Sequence, residues 1–138
     1  MRAQLIAQRE KIPVASQQRA SQIVCEQLQQ LSLFDSAEKI GFYWPMRGEI
    51  DARPFIEFLR ARHKQCYLPR LSLHTSRLLE FYCYDPAQKL IPNKFNIPEP
   101  TADPHSFIAT QQLDIVLVPL VLLMKIIIVL EQVADIMM

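Results

Sequence analysis

The chain has 138 residues, with 15 Lys+Arg against 14 Asp+Glu. That length suits one domain with a core of its own and is short for two. The near-balanced charge advertises neither a polyanion partner nor a membrane surface.

Residues 3–11, within "MRAQLIAQREK", read as a short amphipathic helix that Pro13 interrupts, and they lack the apolar core of a signal peptide. A second helix is predicted over 16–31, with Ala20, Ile23, Val24, Leu28 and Leu31 at 3.6-residue spacing on its inner face. "KIGFYWP" at 39–45 is a short apolar and aromatic run closed by proline, the pattern of a buried strand. "RGEI" follows as a loop. A third helix is expected from Asp51 or Ala52 to Arg62, with Asp51 as N-cap, Pro54 in the first turn, and Phe55, Phe58 and Leu59 turned inward.

"QCYLP" (65–69) and "LLEFYCY" (78–84) read as further strands. Between 85 and 113 stand Pro86, Pro92, Pro98, Pro100 and Pro104, so this stretch reads as a long irregular excursion of functional or mobile character. "LDIVLVPLV" (113–121) is a branched apolar run fit for a buried strand. Strands alternating with helices predict an α/β fold: a mostly parallel sheet covered on both faces, a three-layer α/β/α arrangement.

Cys25, Cys66 and Cys83 are far apart and odd in number, which excludes a disulfide framework and a C-x-x-C site and suits a reducing cytosol. His63, His74 and His105 fall in different segments without metal-ligand spacing. No G-x-G-x-x-G, P-loop, G-x-S-x-G or H-E-x-x-H motif occurs. Only two glycines are present, where average usage of about 7% would give roughly ten.

The informative stretch is "FYWPMRGEID" (42–51). Ligands of open α/β sheets bind outside the carboxyl ends of strands. Glu49 would there accept hydrogen bonds from a polar heterocycle, with Trp44 as an apolar wall. On position alone, Trp44 as core and Glu49 as a solvated loop residue is the alternative. Lys94 and Phe95 in "NKFNIPEP" read either as site residues or as a proline-pinned surface loop. Arg2 and Arg9, seven apart on one helix face, could meet phosphates or simply form a solvated face.

Taken in order, "LIAQRE", "IGFYWPMRGEIDARPFI", "QCYLPRL", "LLEFYCY", "FNIPEP" and "LDIVLVPLV" resemble the 5-formyltetrahydrofolate cyclo-ligase (methenyltetrahydrofolate synthetase) family over residues 2–121. The resemblance implies ATP-dependent closure of 5-formyltetrahydrofolate to 5,10-methenyltetrahydrofolate with Mg2+, in a cytoplasmic, monomeric enzyme of one-carbon metabolism. By that pattern Trp44 and Glu49 fall on folate-binding positions. Arg2 falls on an ATP-contacting arginine of a basic N-terminal element, and that element also carries a lysine ahead of the position of Met1. Neither a catalytic residue nor a metal ligand can be named from the pattern.

After "VPLV" the family continues into a glycine-rich loop that wraps ATP phosphates with backbone N–H groups. Here the place holds "LLMKIIIVLEQVADIMM". With one G supplied before Leu122, its codons permit the reading "AFDENNHRLGTGGGYYD", and the step from Met137 to Met138 is forced to give Asp. The expectation is therefore residues 1–121 as the N-terminal part of a single cyclo-ligase domain, and 122–138 as an out-of-frame apolar tail. A chain of this kind would be inactive and poorly soluble. Two rivals stand beside it. One is a non-catalytic folate-binding or interaction remnant. The other is a tail-anchored membrane protein, although the run from Ile115 to Leu130 falls short of the twenty or so apolar residues a span needs and is broken by Pro119 and Lys125. As conformation alone, the tail's residue types tolerate a terminal helix.

Overall fold

The computed structural model describes residues 2–72, 79–119 and 126–129, the last four by backbone alone. Among the described residues there are four α-helices, α1 (Arg2–Glu10), α2 (Val14–Gln29), α3 (Leu33–Ser36) and α4 (Arg53–Arg60), and a 3-10 turn at Thr110–Gln112. The strands are β1 (Lys39–Gly41), β2 (Gln65–Leu71), β3 (Leu79–Cys83), β4 (Ile91–Pro92), β5 (Pro98–Glu99), β6 (Phe107–Ile108), β7 (Ile115–Pro119) and β8 (Ile126–Val129).

The main sheet has the order β6-β3-β2-β1-β7-β8. Its centre is parallel, with β1 between β2 and β7. Its flanks are antiparallel, β3 on β2, β6 on β3 and β8 on β7. The sheet is therefore mixed rather than mostly parallel. A helix returns the chain from β1 to β2, which allows parallel pairing, whereas β3 pairs antiparallel with β2. Asp114 fixes the start of the β1–β7 register: its Oδ2 accepts the Glu38 and Lys39 N–H groups at 2.9 and 3.0 Å.

Alternation along the central strands divides the core. Ile40, Phe42, Cys66, Leu68, Ile115 and Leu117 face the layer of α2, α3 and α4, where Phe55 is fully buried. Its ring meets Phe34 edge-on with centroids 4.8 Å apart and stacks on Phe58 at 5.7 Å. On the opposite face Tyr67, Phe81, Ile108, Leu113 and Val116 form a smaller cluster. Gly41 belongs there because a Cβ would lie 3.1 Å from both the Phe81 ring and Val116. Among the described residues no α-helix contributes to this cluster, so of the three layers expected the described residues show one helical layer and the sheet.

Several boundaries differ from the sequence reading for physical reasons. β2 runs through Pro69 to Leu71, and β7 ends on Pro119. Their partner β1 stops opposite Tyr67 and Val116, so a missing N–H is tolerated on a strand paired on one side only. Regular pairing of β1 ends at Gly41. One more bond follows, from the Phe42 N–H to the Tyr67 carbonyl at 2.8 Å, and residues 43–45 then leave the sheet. In α2 the inward stripe is Ser21, Cys25 and Leu28, with Val24 beside it, while Ile23 and, past the helix end, Leu31 are exposed. Polar Ser21 faces inward because its Oγ accepts the Asp51 N–H at 2.9 Å. Asp51 is not the N-cap of α4. It lies one residue outside the cap, Ala52, and its Oδ1 accepts the Arg53 N–H at 3.0 Å.

The excursion is held by short pairings, β4 on β5 and β6 on β3. Residues 126–129 form a strand rather than the helix their composition tolerates. The rest of the 122–138 tail, Leu78 of the third predicted strand, and His74 lie outside the described residues.

Candidate functional site

The three parallel strands end at one edge of the sheet. The chain leaves β1 for β2 on one side and reaches β7 on the other, which makes the end of β1 a topological switch point where a crevice opens. A cavity of about 650 Å³ lies there. Its floor comes from the strand ends, Tyr43, Trp44, Pro69, Leu71 and Pro119; Arg2, Ile6 and Arg9 of α1 form one wall; Asn93, Phe95, Ile97 and Glu99 form another.

Glu49 reaches the cavity through a tight turn. Arg47 and Gly48 have φ of +51° and +79°, and the Glu49 N–H bonds the Met46 carbonyl at 3.0 Å. Two successive positive φ angles define a primed turn, which glycine permits at the second position. The Glu49 side chain folds back so that Oε1 accepts the Met46 N–H at 2.9 Å. Oε2 has no hydrogen bond among the described residues. Burial pushes the Glu49 carboxyl above its usual range, against the opposing pull of the Met46 N–H and the positive charges of Arg9 and Arg2.

Trp44 is half-buried and held from behind. The Arg53 guanidinium lies 4.9 Å from its ring centroid, and Tyr84 meets it edge-on at 6.4 Å. Asp51 grips Arg53 with both carboxylate oxygens at 2.8 and 2.7 Å. Burial opposes the Asp51 charge, but these bonds outweigh it and hold its carboxyl below the usual range. Tyr43 is fixed through its hydroxyl, which donates to the Ile50 carbonyl at 2.5 Å.

Arg2 and Arg9 share the cavity but not an environment. Arg2 is exposed at the rim. Arg9 is only 8% exposed; its Nε donates to the Arg47 carbonyl at 2.7 Å, while Nη1 is buried without a hydrogen-bond partner. A shared solvated face is thus ruled out for the pair.

Glu99 and Asn93 went unnoticed in the sequence. Glu99 is buried and its Oε2 accepts the Leu71 N–H at 2.7 Å and the Asn93 amide at 2.9 Å, tying the β4–β5 hairpin to the end of β2. Asn93 Oδ1 in turn accepts the Phe95 and Ile97 N–H groups at 2.8 and 3.1 Å. This frame sets Phe95, 62% exposed, at the cavity mouth. Lys94 is not part of the lining; its Nζ sits 5.2 Å from the Phe95 ring centroid. A charged glutamate between prolines gives no composition signal for burial.

A second cleft, of about 520 Å³, runs between α2 and residues 45–54. It lies on the outer side of the same turn and shares Met46, Arg47 and Glu49, but neither Trp44 nor the arginines of α1. The cavity over the strand ends is the one that gathers mixed polar groups around an aromatic wall. Among the described residues no three His, Cys, Asp or Glu side chains gather to hold a metal ion, and no helix is long and apolar enough to cross a membrane. Cys25, Cys66 and Cys83 are free thiols, each pushed up by burial, Cys66 to about 12.

Fold and cavity together define an α/β protein with a candidate binding site at the carboxyl ends of parallel strands. An aromatic wall, a free carboxylate oxygen and two cations there suit a flat polar ligand. The profile of the 5-formyltetrahydrofolate cyclo-ligase family matches residues 1–124, and the chain belongs to that family. The 5-formyltetrahydrofolate cyclo-ligase of Escherichia coli K12 is 33% identical over 85 residues, 62% of this chain and 47% of its own length. That of Haemophilus influenzae is 31% identical over 113 residues, 82% and 60% respectively. The chain thus spans about half the length of the curated relatives it matches.

Two solved structures share the fold. The Aquifex aeolicus 5,10-methenyltetrahydrofolate synthetase superposes with a TM-score of 0.69 at 23% identity, covering 83% of this chain and 56% of that one. The Mycoplasma pneumoniae 5,10-methenyltetrahydrofolate synthetase gives 0.61 at 17%, covering 86% and 61%.

Proposed function

We propose that the cavity at the ends of β1, β2 and β7 binds 5-formyltetrahydrofolate. In its complete reading frame, we propose, the protein closes that substrate to 5,10-methenyltetrahydrofolate at the expense of ATP. One observation carries the proposal: residues far apart in sequence, Arg2, Trp44 and Glu49, line the same cavity. Trp44 offers a flat face for a ring, and Glu49 Oε2 an acceptor for its N–H donors. Arg2 at the rim is a cation for ATP phosphates.

The chemistry asks mainly for positioning. The formyl oxygen attacks the γ-phosphorus of ATP and ADP departs; the neighbouring N–H nitrogen then attacks the activated carbon and loses its proton, and phosphate leaves with that oxygen as the methenyl bridge forms. Mg2+ would arrive with the nucleotide, held largely by its phosphate oxygens. What the described residues contribute is the folate half: a wall, an acceptor and a water-poor floor. The phosphate-gripping element of the family would follow β7, among residues outside those described.

We further propose that residues 122–138 are an out-of-register reading of that element, so that the polypeptide as written binds folate without turning it over. The shifted reading "AFDENNHRLGTGGGYYD" supports this. Its test is the DNA across codons 119–124 together with MgATP-dependent turnover by the polypeptide as written and by a version with the neighbouring frame restored. Expected are an in-frame family motif and activity from the restored protein alone. Turnover at a normal rate by the chain as written would overturn the frameshift. A restored protein that neither binds nor cyclises 5-formyltetrahydrofolate would overturn the assignment itself. We propose a cytoplasmic monomer; the three free thiols support the cytoplasmic location.

A further inference from the structure

Arg9 is the feature of the cavity that folding alone leaves unexplained. A buried guanidinium is costly unless its donors are used. One donor, Nε, holds the Arg47 carbonyl at 2.7 Å, while the buried Nη1 has no partner. Glu49 lines the same cavity and its positive neighbours include Arg9, yet the two do not close into an ion pair. Glu49 keeps Oε2 open because Oε1 is taken by the Met46 N–H. An unused donor and an unused acceptor thus belong to two residues that line one cavity with Trp44.

We propose that Arg9 is a specificity-determining residue, its Nη1 donating to a ring carbonyl of the ligand while Glu49 accepts the adjacent ring N–H. Together they read a cyclic amide edge, –NH–C(=O)–, lying against Trp44. In a folate this edge is the N3–H and O4 of the pterin ring, so the inference rests on the folate reading above and refines it. The chemical reason for the pairing is complementarity. A carboxylate alone selects donors, and a guanidinium alone selects acceptors. The two in one cavity select a ring that presents one of each, and the ligand carbonyl supplies the partner that the buried Nη1 lacks.

The test compares 5-formyltetrahydrofolate with its 4-thioxo counterpart, which keeps the N3–H but replaces the strong oxygen acceptor by a weak sulfur one. Binding of each is measured for the unaltered chain, Arg9→Met and Glu49→Gln. The unaltered chain should prefer the oxygen ligand by about tenfold or more, the effect of one charge-assisted hydrogen bond. Arg9→Met should collapse that preference toward unity. Glu49→Gln should weaken both ligands and leave their ratio unchanged, because Glu49 reads the N–H. A role of Arg9 confined to bracing the turn through Nε would lower both affinities without moving the ratio. Equal binding of the two ligands by the unaltered chain overturns the inference and needs no variant, so poor folding of Arg9→Met cannot shield it. A preference that survives Arg9→Met overturns it as well. Failure of the unaltered chain to bind either ligand would instead sink the folate reading, and this inference with it.

Discussion

Gly48→Ala is the sharpest probe of how the fold builds the site. Gly48 sits at φ +79°, where an alanine costs about 1 kcal/mol more than glycine. Space adds to the conformational cost. A Cβ would lie 3.0 Å from Gln17 Nε2 and 3.2 Å from both the Cγ and the carbonyl oxygen of Arg9. The Gln17 amide is the end of a flexible chain and can yield, giving up its 3.1 Å bond to the Arg9 carbonyl. The Arg9 backbone belongs to α1 and cannot move so easily.

Together these effects should cost about 2 kcal/mol, or roughly 6–10 °C in Tm for a domain of this size. The turn must move away from α1, which loosens the bond from Arg9 Nε to the Arg47 carbonyl and displaces Glu49 next to it. Folate affinity should therefore fall along with stability. Gly41→Ala is the control. Its Cβ would crowd Phe81 and Val116 on the opposite face, an overpacking cost of about 1–3 kcal/mol, away from the cavity. The assay is thermal unfolding paired with ligand titration at a temperature where each variant is folded. Gly48→Ala with unchanged Tm, or with lowered Tm but full affinity, would refute the coupling of turn to site.

The other expectations concern the charges and the core. Glu49 has a raised carboxyl pKa, so the folded state favours its protonated form. Its burial therefore destabilises increasingly as pH climbs from the ordinary Glu range near ~4.3 through the higher folded value. Glu49→Gln should remove that slope, leave neutral-pH Tm equal or higher, and weaken folate binding by about tenfold or more. Asp51 has the opposite sign: its contribution is present above the ordinary Asp pKa of ~3.9 and is lost as pH falls through its lower folded value. Because the Arg53–Asp51 pair is partly exposed, Asp51→Asn should cost at most about 1 kcal/mol. It should also shift Trp44 emission by freeing the guanidinium behind the ring. Phe55→Ala should lose about 3–5 kcal/mol in a denaturant titration, since the ring is fully buried among Phe34, Phe42 and Phe58.

Much of this architecture is written in periodicity. The runs "KIGFYWP", "QCYLP" and "LDIVLVPLV" contain β1, most of β2 and β7, because burial on both faces needs unbroken apolar residues, although β1 stops at Gly41. Strand direction was not legible. The antiparallel flanks follow from connections whose length and course the residues between strands do not encode locally. The α2 stripe was misplaced because Ile23 and Leu31 look like core, while Ser21 earns its inward position only through a bond to Asp51, thirty residues away.

In the site, the order strand, aromatic, turn, carboxylate pointed to Trp44 and Glu49. Arg9 was visible as a charge on a helix, but its burial depends on the turn at 47–48 folding over it. The Glu99 and Asn93 frame depends likewise on the end of β2. Local pattern finds groups that act alone. It misses those whose role is given by a distant partner.

Trp44 is the sole tryptophan of the chain and lines the cavity, so its fluorescence reports on that site alone. Titration with 5-formyltetrahydrofolate, corrected for ligand absorbance, is the most direct measurement. A saturable change in Trp44 emission, shifted to higher ligand concentration by Glu49→Gln, is the expected result. An emission that stays constant across the titration, in a chain whose circular dichroism shows it folded, would contradict folate binding at the ends of the parallel strands.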